Sequence, residues 1–174
     1  EDEIRGIGRA ARRAGGRALA AGLDVDPALR VAVSAALGDL ARSFVVRRDH
    51  LASLAGERGL VVLGDAAGPG AAAPGVVETA AVRAGVARVG GGLLAEAVRV
   101  DAAGTASRIL ARCAWVPTLS DALEIAGTLP SGWRVAARTG AVVTAAGTVT
   151  LGIADAPLER RVEVEAVGRD LAAA

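Results

Sequence analysis

The chain has 174 residues and a formal net charge of +1, with 52% hydrophobic and 22% charged residues. This composition fits one globular domain, or two small closely packed subdomains, and excludes a disordered chain. All twenty basic residues are arginine, which excludes Schiff-base chemistry and a P-loop lysine, and the single Cys113 and single His50 exclude a Cys/His zinc site and an intrachain disulfide.

A charge near zero exerts no global pull toward nucleic acid or anionic membrane. Phe44, Trp115 and Trp133 are the only aromatics, so the core must be built from Ala, Val, Leu and Ile. The longest uncharged stretch, residues 139–154, is interrupted by Gly and Thr and is too short to span a bilayer, which takes about 20 apolar residues. The acidic opening Glu1-Asp2-Glu3 carries no signal-peptide pattern, and a cytoplasmic protein is expected.

Ile4, Ile7, Ala11 and Ala14 follow the 3-4-3 spacing of a coiled-coil seam, although Gly6 and Gly8 weaken the helix. The same spacing recurs at Val164, Val167, Leu171 and Ala174. Both ends read either as ordinary amphipathic termini or as stubs of longer arms. Residues 16–25 read as a strand. Asp26 then supplies an N-cap and Pro27 a first helical residue, the apolar face is Val31, Ala32, Ala35 and Ala36, and Gly38 stops the helix. Residues 43–46 form a β-rich run, Asp49 caps a short helix, and residues 60–63 form a buried strand. This alternation predicts an α/β arrangement. Residues 64–75, rich in Gly, Ala and Pro, read as a connection between subdomains.

Residues 82–89 and 93–100 fit strands or short helices equally well. Residues 103–113 read as helical and Trp115-Val116 as a strand. Thr118 or Ser120 caps a helix that ends before Pro130 and Gly132. Residues 133–137, 141–143 and 148–151 then form three strands joined by tight turns at Thr139-Gly140 and Ala145-Ala146-Gly147, a β-meander.

No residue set argues for catalysis. His50 reads as an exposed first-turn histidine, because catalysis would require a nucleophile and an orienting partner. Cys113 reads as a small buried hydrophobe with weak support for activation from Arg112. The run Gly90-Gly91-Gly92 lacks the frame of a dinucleotide or P-loop motif and reads as a turn or a close backbone approach. The arginines at 12, 13 and 17, at 47 and 48, and at 160 and 161 support backbone-only DNA contact if they share a face.

Two blocks carry a resemblance. Residues 25–46 run V-D-P-A-L-R-V-A-V-S-A-A-L-G-D-L-A-R-S-F-V-V, and residues 118–152 run from Thr118-Leu119-Ser120-Asp121 through Trp133 to Thr150-Leu151-Gly152. In this order they resemble the hinge domain of bacterial SMC (structural maintenance of chromosomes) proteins, over about residues 17–152. The resemblance implies an α/β (α+β) fold of two small subdomains, about 17–75 and 76–152. Residues 1–16 would be a coiled-coil stub or flexible helix, and 153–174 would lead into a coiled coil. It implies a non-catalytic homodimerisation module without cofactors that joins two arms, binds DNA weakly, and in a full-length parent works with accessory subunits at the nucleoid. The implied dimer interface is Gly140, Gly147, Thr150, Leu151 and Gly152, and the implied DNA contacts are Arg12, Arg13, Arg17, Arg160 and Arg161.

The chain departs from the family pattern at three places. Thr139-Gly140 stands for Asp-Gly, Leu151 interrupts a Thr-Gly-Gly ending, and Leu29 replaces a frequent aromatic. Leu151 puts a side chain where the family has almost none. Two alternatives follow: a hinge-like interaction domain that has lost self-pairing, or a small α/β domain binding a phosphate ligand on the Gly85–Gly92 loop.

Overall fold

The computed structural model describes residues 2–65 and 73–152; the expected arm 153–174, with Arg160 and Arg161, lies outside them. The first helix, α1 (Asp2–Arg13), ends because Gly15 adopts φ 73°, a left-handed conformation that costs a glycine little. The Gly15 N–H then donates to the Arg12 carbonyl and the Gly16 N–H to the Ala11 carbonyl, the two bonds of a Schellman cap. Ile7, Ala10 and Ala11 are buried, and the core under the helix adds Phe44, Val46 and Leu54. The stripe that matched a coiled-coil seam therefore packs, at Ile7 and Ala11, onto the domain itself. Gly8 has a packing reason, since a Cβ there would lie 3.1 Å from the Phe44 ring.

After α1 come β1 (Arg17–Ala18), β2 (Leu23–Val25), α2 (Arg30–Leu37), β3 (Phe44–Val46) and β4 (Val61–Leu63). Asp26 caps a 3-10 turn, Pro27–Leu29, its carboxylate accepting the Ala28 N–H at 2.9 Å, so α2 itself starts at Arg30 and not at Pro27 as expected; Gly38 terminates α2 with φ 54°. The buried face of α2 is Ala32, Val33, Ala36 and Leu37, turned about one residue from the expected face. With alanine on both sides of the helix, pattern alone did not fix its rotation. A short 3-10 helix, Arg48–Leu54, replaces the one expected to be capped by Asp49, and Arg47 holds the cap position.

The second half starts at α3 (Val76–Ala87), followed by β5 (Gly92–Leu93), β6 (Val98–Asp101), α4 (Thr105–Leu110), β7 (Cys113–Val116), α5 (Leu119–Ala126), β8 (Arg134–Ala137), β9 (Val142–Thr144) and β10 (Val149–Thr150). Thr118 caps α5 in a reciprocal capping box with Asp121. The Trp133 indole, fully buried, donates to the Glu78 carboxylate and ties β8 to α3.

The two halves repeat one plan. Each runs helix, Gly-Gly cap, short strand, crossover, strand, helical segment, strand. The sheet orders are β1-β3-β4 and β5-β7-β8-β9-β10, each with its first pair antiparallel and its second pair parallel. The equivalent strands β2 and β6 pair with each other antiparallel, Leu23 opposite Asp101 and Asp24 opposite Val100. Two like halves whose equivalent strands meet antiparallel are arranged about an approximate two-fold axis. The largest core draws on both halves, from Leu19, Val33 and Leu37 to Leu94, Leu110 and Ala136. One difference bears on the sheet edges: among the described residues, strand β8 continues into the β9–β10 hairpin, whereas its counterpart β4 is an end strand.

Candidate dimer interface

Strand β10 is an end strand of the five-stranded sheet. Its register on β9 puts Val149 opposite Val143 and Thr150 opposite Val142. The Thr144 N–H donates to the Thr148 carbonyl, so the backbone groups of Thr148 and Thr150 face β9. By alternation, those of Val149 and Leu151 face outward. Val149, Thr150, Leu151 and Gly152 are all exposed, Leu151 at 72%.

The glycines have local reasons. Gly140 (φ 95°) turns β8 into β9, its N–H donating to the Ala137 carbonyl. Gly147 (φ 83°) turns β9 into β10, where Thr144 and Thr148 hydroxyls lie 2.7 Å apart. A Cβ on Gly147 or Gly152 would meet nothing within 4 Å, so left-handed backbone, and no close approach within the chain, accounts for glycine there. Register carries Gly152 toward the Gly140 turn, so Gly140, Thr150, Leu151 and Gly152 gather at one end of the hairpin. Gly147 sits at the other end, about 10 Å away.

In the three-stranded sheet, β4 is an end strand with no partner on its outer side among the described residues. The Gly64 N–H donates to the Val46 carbonyl at 2.9 Å, so Gly64 and Val62 face β3, while the backbone groups of Val61 and Leu63 face out. This edge carried no signal in the sequence beyond a short apolar run.

Arg12, Arg13 and Arg17 are exposed around the end of α1 and the start of β1, with the Arg12 guanidinium 5.4 Å from the Phe44 ring centroid. Arg17 lies opposite Val45, one strand from Arg47 and Arg48. Arg47 pairs with Asp49 at 3.1 Å, and the Arg48 backbone N–H donates to Asp65. His50 is exposed, its Nε2 3.9 Å from Asp49. Cys113 is fully buried with its thiol toward the Ile109 carbonyl, and burial pushes its pKa up, the reverse of activation.

The triple glycine is a helix stop. Gly90 (φ 76°) and Gly91 donate to the Ala87 and Val86 carbonyls, the same Schellman cap as at Gly15-Gly16. Those N–H groups are therefore spent on the helix and do not form a phosphate cradle. A groove of 350 Å³ beside α3 is lined mainly by Ala81, Val82, Gly85, Ile125 and Leu129, together with Arg88. Among the described residues no cluster of acidic, His or Cys side chains could hold a metal, and no helix is long and apolar enough to cross a membrane.

No protein-family model matches the chain, and no curated protein matches it. Solved structures do. An asymmetric dimer of the Geobacillus stearothermophilus SMC hinge domain superposes with a TM-score of 0.73 at 24% identity, over 97% of this chain and 72% of that one. The fold is that of an SMC hinge. The Pyrococcus furiosus SMC hinge domain with an extended coiled coil aligns with a TM-score of 0.60 at 20% identity, over 98% of this chain and 63% of that one. The folded elbow of cohesin aligns at 0.59 and 12% identity, over 97% of this chain but 26% of its own length. The hinge likeness thus spans nearly the whole chain, including residues 76–117, where the sequence blocks are silent. It also agrees with the mixed α/β class expected from those blocks.

Proposed function

We propose that this chain is a homodimerisation hinge that joins the arms of an SMC chromosome-segregation ATPase and has no catalysis of its own. The observation that carries the reading is the pair of strand edges left unpaired among the described residues, β10 on one half and β4 on the other, in a hinge fold. Strand β8 is extended by β9 and β10, and among the described residues its counterpart β4 lacks that extension. Strand β10 of a second copy supplies it, and two-fold symmetry repeats the contact, making eight-stranded sheets across the boundary. Backbone hydrogen bonds set the register, and aliphatic burial supplies most of the affinity over about 1,000 Å² or more.

The division at residue 75/76 follows the two repeated halves. Gly140, Thr150, Leu151 and Gly152 lie at or beside the pairing edge. Arg12, Arg13 and Arg17, with Arg160 and Arg161, are the DNA contacts of this reading, and nucleoid localisation with accessory subunits follows from it.

A Leu151→Pro change tests the pairing. The Leu151 N–H faces outward, so proline removes a donor to the partner strand without removing one from the β9 ladder. Light scattering behind a sizing column should show wild type at twice 17.2 kDa and the variant at 17.2 kDa, with unchanged circular dichroism. An unpaired wild type at every accessible concentration overturns the proposal, and points to an exposed edge that serves a different protein partner.

A further inference from the structure

Arg108 stands on α4, in the second half, yet its Nη2 donates to the Leu63 carbonyl on β4 at 2.5 Å. That carbonyl is one of two outward acceptors on the β4 edge, the other being Val61. The guanidinium therefore occupies an acceptor that the N–H of an added strand would use. Arg108 is half-buried, and among the described residues no carboxylate holds it. Its charge is therefore spent on a neutral acceptor, a bond that water replaces at modest cost once the side chain swings out. An open, apolar strand edge invites indiscriminate pairing, and a long cationic side chain laid across it is one of the devices that block this.

We propose that Arg108 is a latch on the β4 edge that sets the selectivity of self-pairing. In the unpaired chain it occupies the Leu63 carbonyl. A strand gains the edge only by displacing it, so a strand that bonds at both Val61 and Leu63 succeeds and a shorter or misregistered one does not. The proposal rests on the hinge reading above, because the displacing strand is β10 of a second copy.

The test compares wild type, Arg108→Met, Arg108→Lys and the double variant Arg108→Met/Leu151→Pro by sedimentation equilibrium. Methionine keeps much of the side-chain stem and removes the donor, whereas lysine keeps a cationic donor. Each symmetric dimer displaces two latches, so Arg108→Met should self-associate about tenfold more tightly, and Arg108→Lys should stay near wild type. The double variant should be monomeric, which would place the gain on the same edge. A dimer of Arg108→Met no tighter than wild type overturns the latch and leaves the hinge reading standing. A chain that stays monomeric as wild type and as Arg108→Met overturns both. If Arg108→Met is destabilised in thermal melting, Arg108→Lys decides: tightening in that variant, which keeps a donor, also overturns the latch.

Discussion

Two alanine substitutions six residues apart should have opposite signs. Gly91 leaves α3 and passes over β7. A Cβ there would lie 2.2 Å from the Trp115 carbonyl oxygen and 3.1 Å from both the Val116 Cγ1 and the Val86 carbonyl oxygen. Two of these neighbours are backbone, so the clash cannot be relieved by a rotamer change. Relief requires β5 to move from β7 by about 1 Å, which disturbs the Gly92–Trp115 and Leu93–Ala114 pairing. Overpacking of this kind costs about 1–3 kcal/mol, and each weakened ladder bond adds about 1 kcal/mol. Gly91→Ala should therefore lose about 3 kcal/mol or more, a large part of the roughly 5–15 kcal/mol that holds a domain together. Gly85 lies inside α3, where a Cβ would meet nothing within 4 Å. Gly85→Ala should gain roughly 0.5–1 kcal/mol from helix propensity. Urea unfolding followed by fluorescence of the buried Trp133 and half-buried Trp115 reads both. A Gly91→Ala midpoint indistinguishable from wild type would refute the close-approach argument.

Cys113 should resist a thiol reagent in the native protein and react at the rate of global unfolding, because burial raises its pKa and hides the sulfur; rapid modification without denaturant would contradict its placement. The Asp26 carboxyl is held below the usual range, first by the Ala28 N–H it accepts and then by Arg99 at 3.2 Å. A carboxylate depressed on folding contributes stability that is complete above its unfolded pKa near 3.9 and is lost as pH falls through the folded value. The stability gap between wild type and Asp26→Asn should therefore be constant near neutrality and close as the solution is acidified below about pH 4. Parallel acid titrations would remove Asp26 from the account.

Where glycine, proline and capping residues punctuate the chain, the sequence was legible. Asp26-Pro27 started the 3-10 turn into α2, Gly38 ended α2, Thr118 capped α5, and the turns at Gly140 and Gly147 bounded the meander, each from local backbone preference. Residues 76–100 were not legible, because alanine and valine satisfy both periods; packing of Val82 and Val86 on the sheet decided for a helix. The candidate residues of the β10 edge followed from the resemblance. The proposed partner edge, β4, did not, since Val61-Val62-Leu63 reads as an ordinary buried strand until the sheet order leaves one side of it unpaired among the described residues.

By itself the sequence determined the solvent-free chemistry of this protein: an aliphatic core with one buried thiol, no lysine, and turns fixed by residues that alone tolerate them. Tertiary structure decided what the turns join. The matching sheet orders and the β2–β6 pairing make the repeat visible. Arg108 and Leu63, 45 positions apart, become neighbours only because that pseudo-two-fold brings α4 against the edge of the other half. Long-range geometry of this kind is set by packing, and nothing in the local pattern of either residue encodes it.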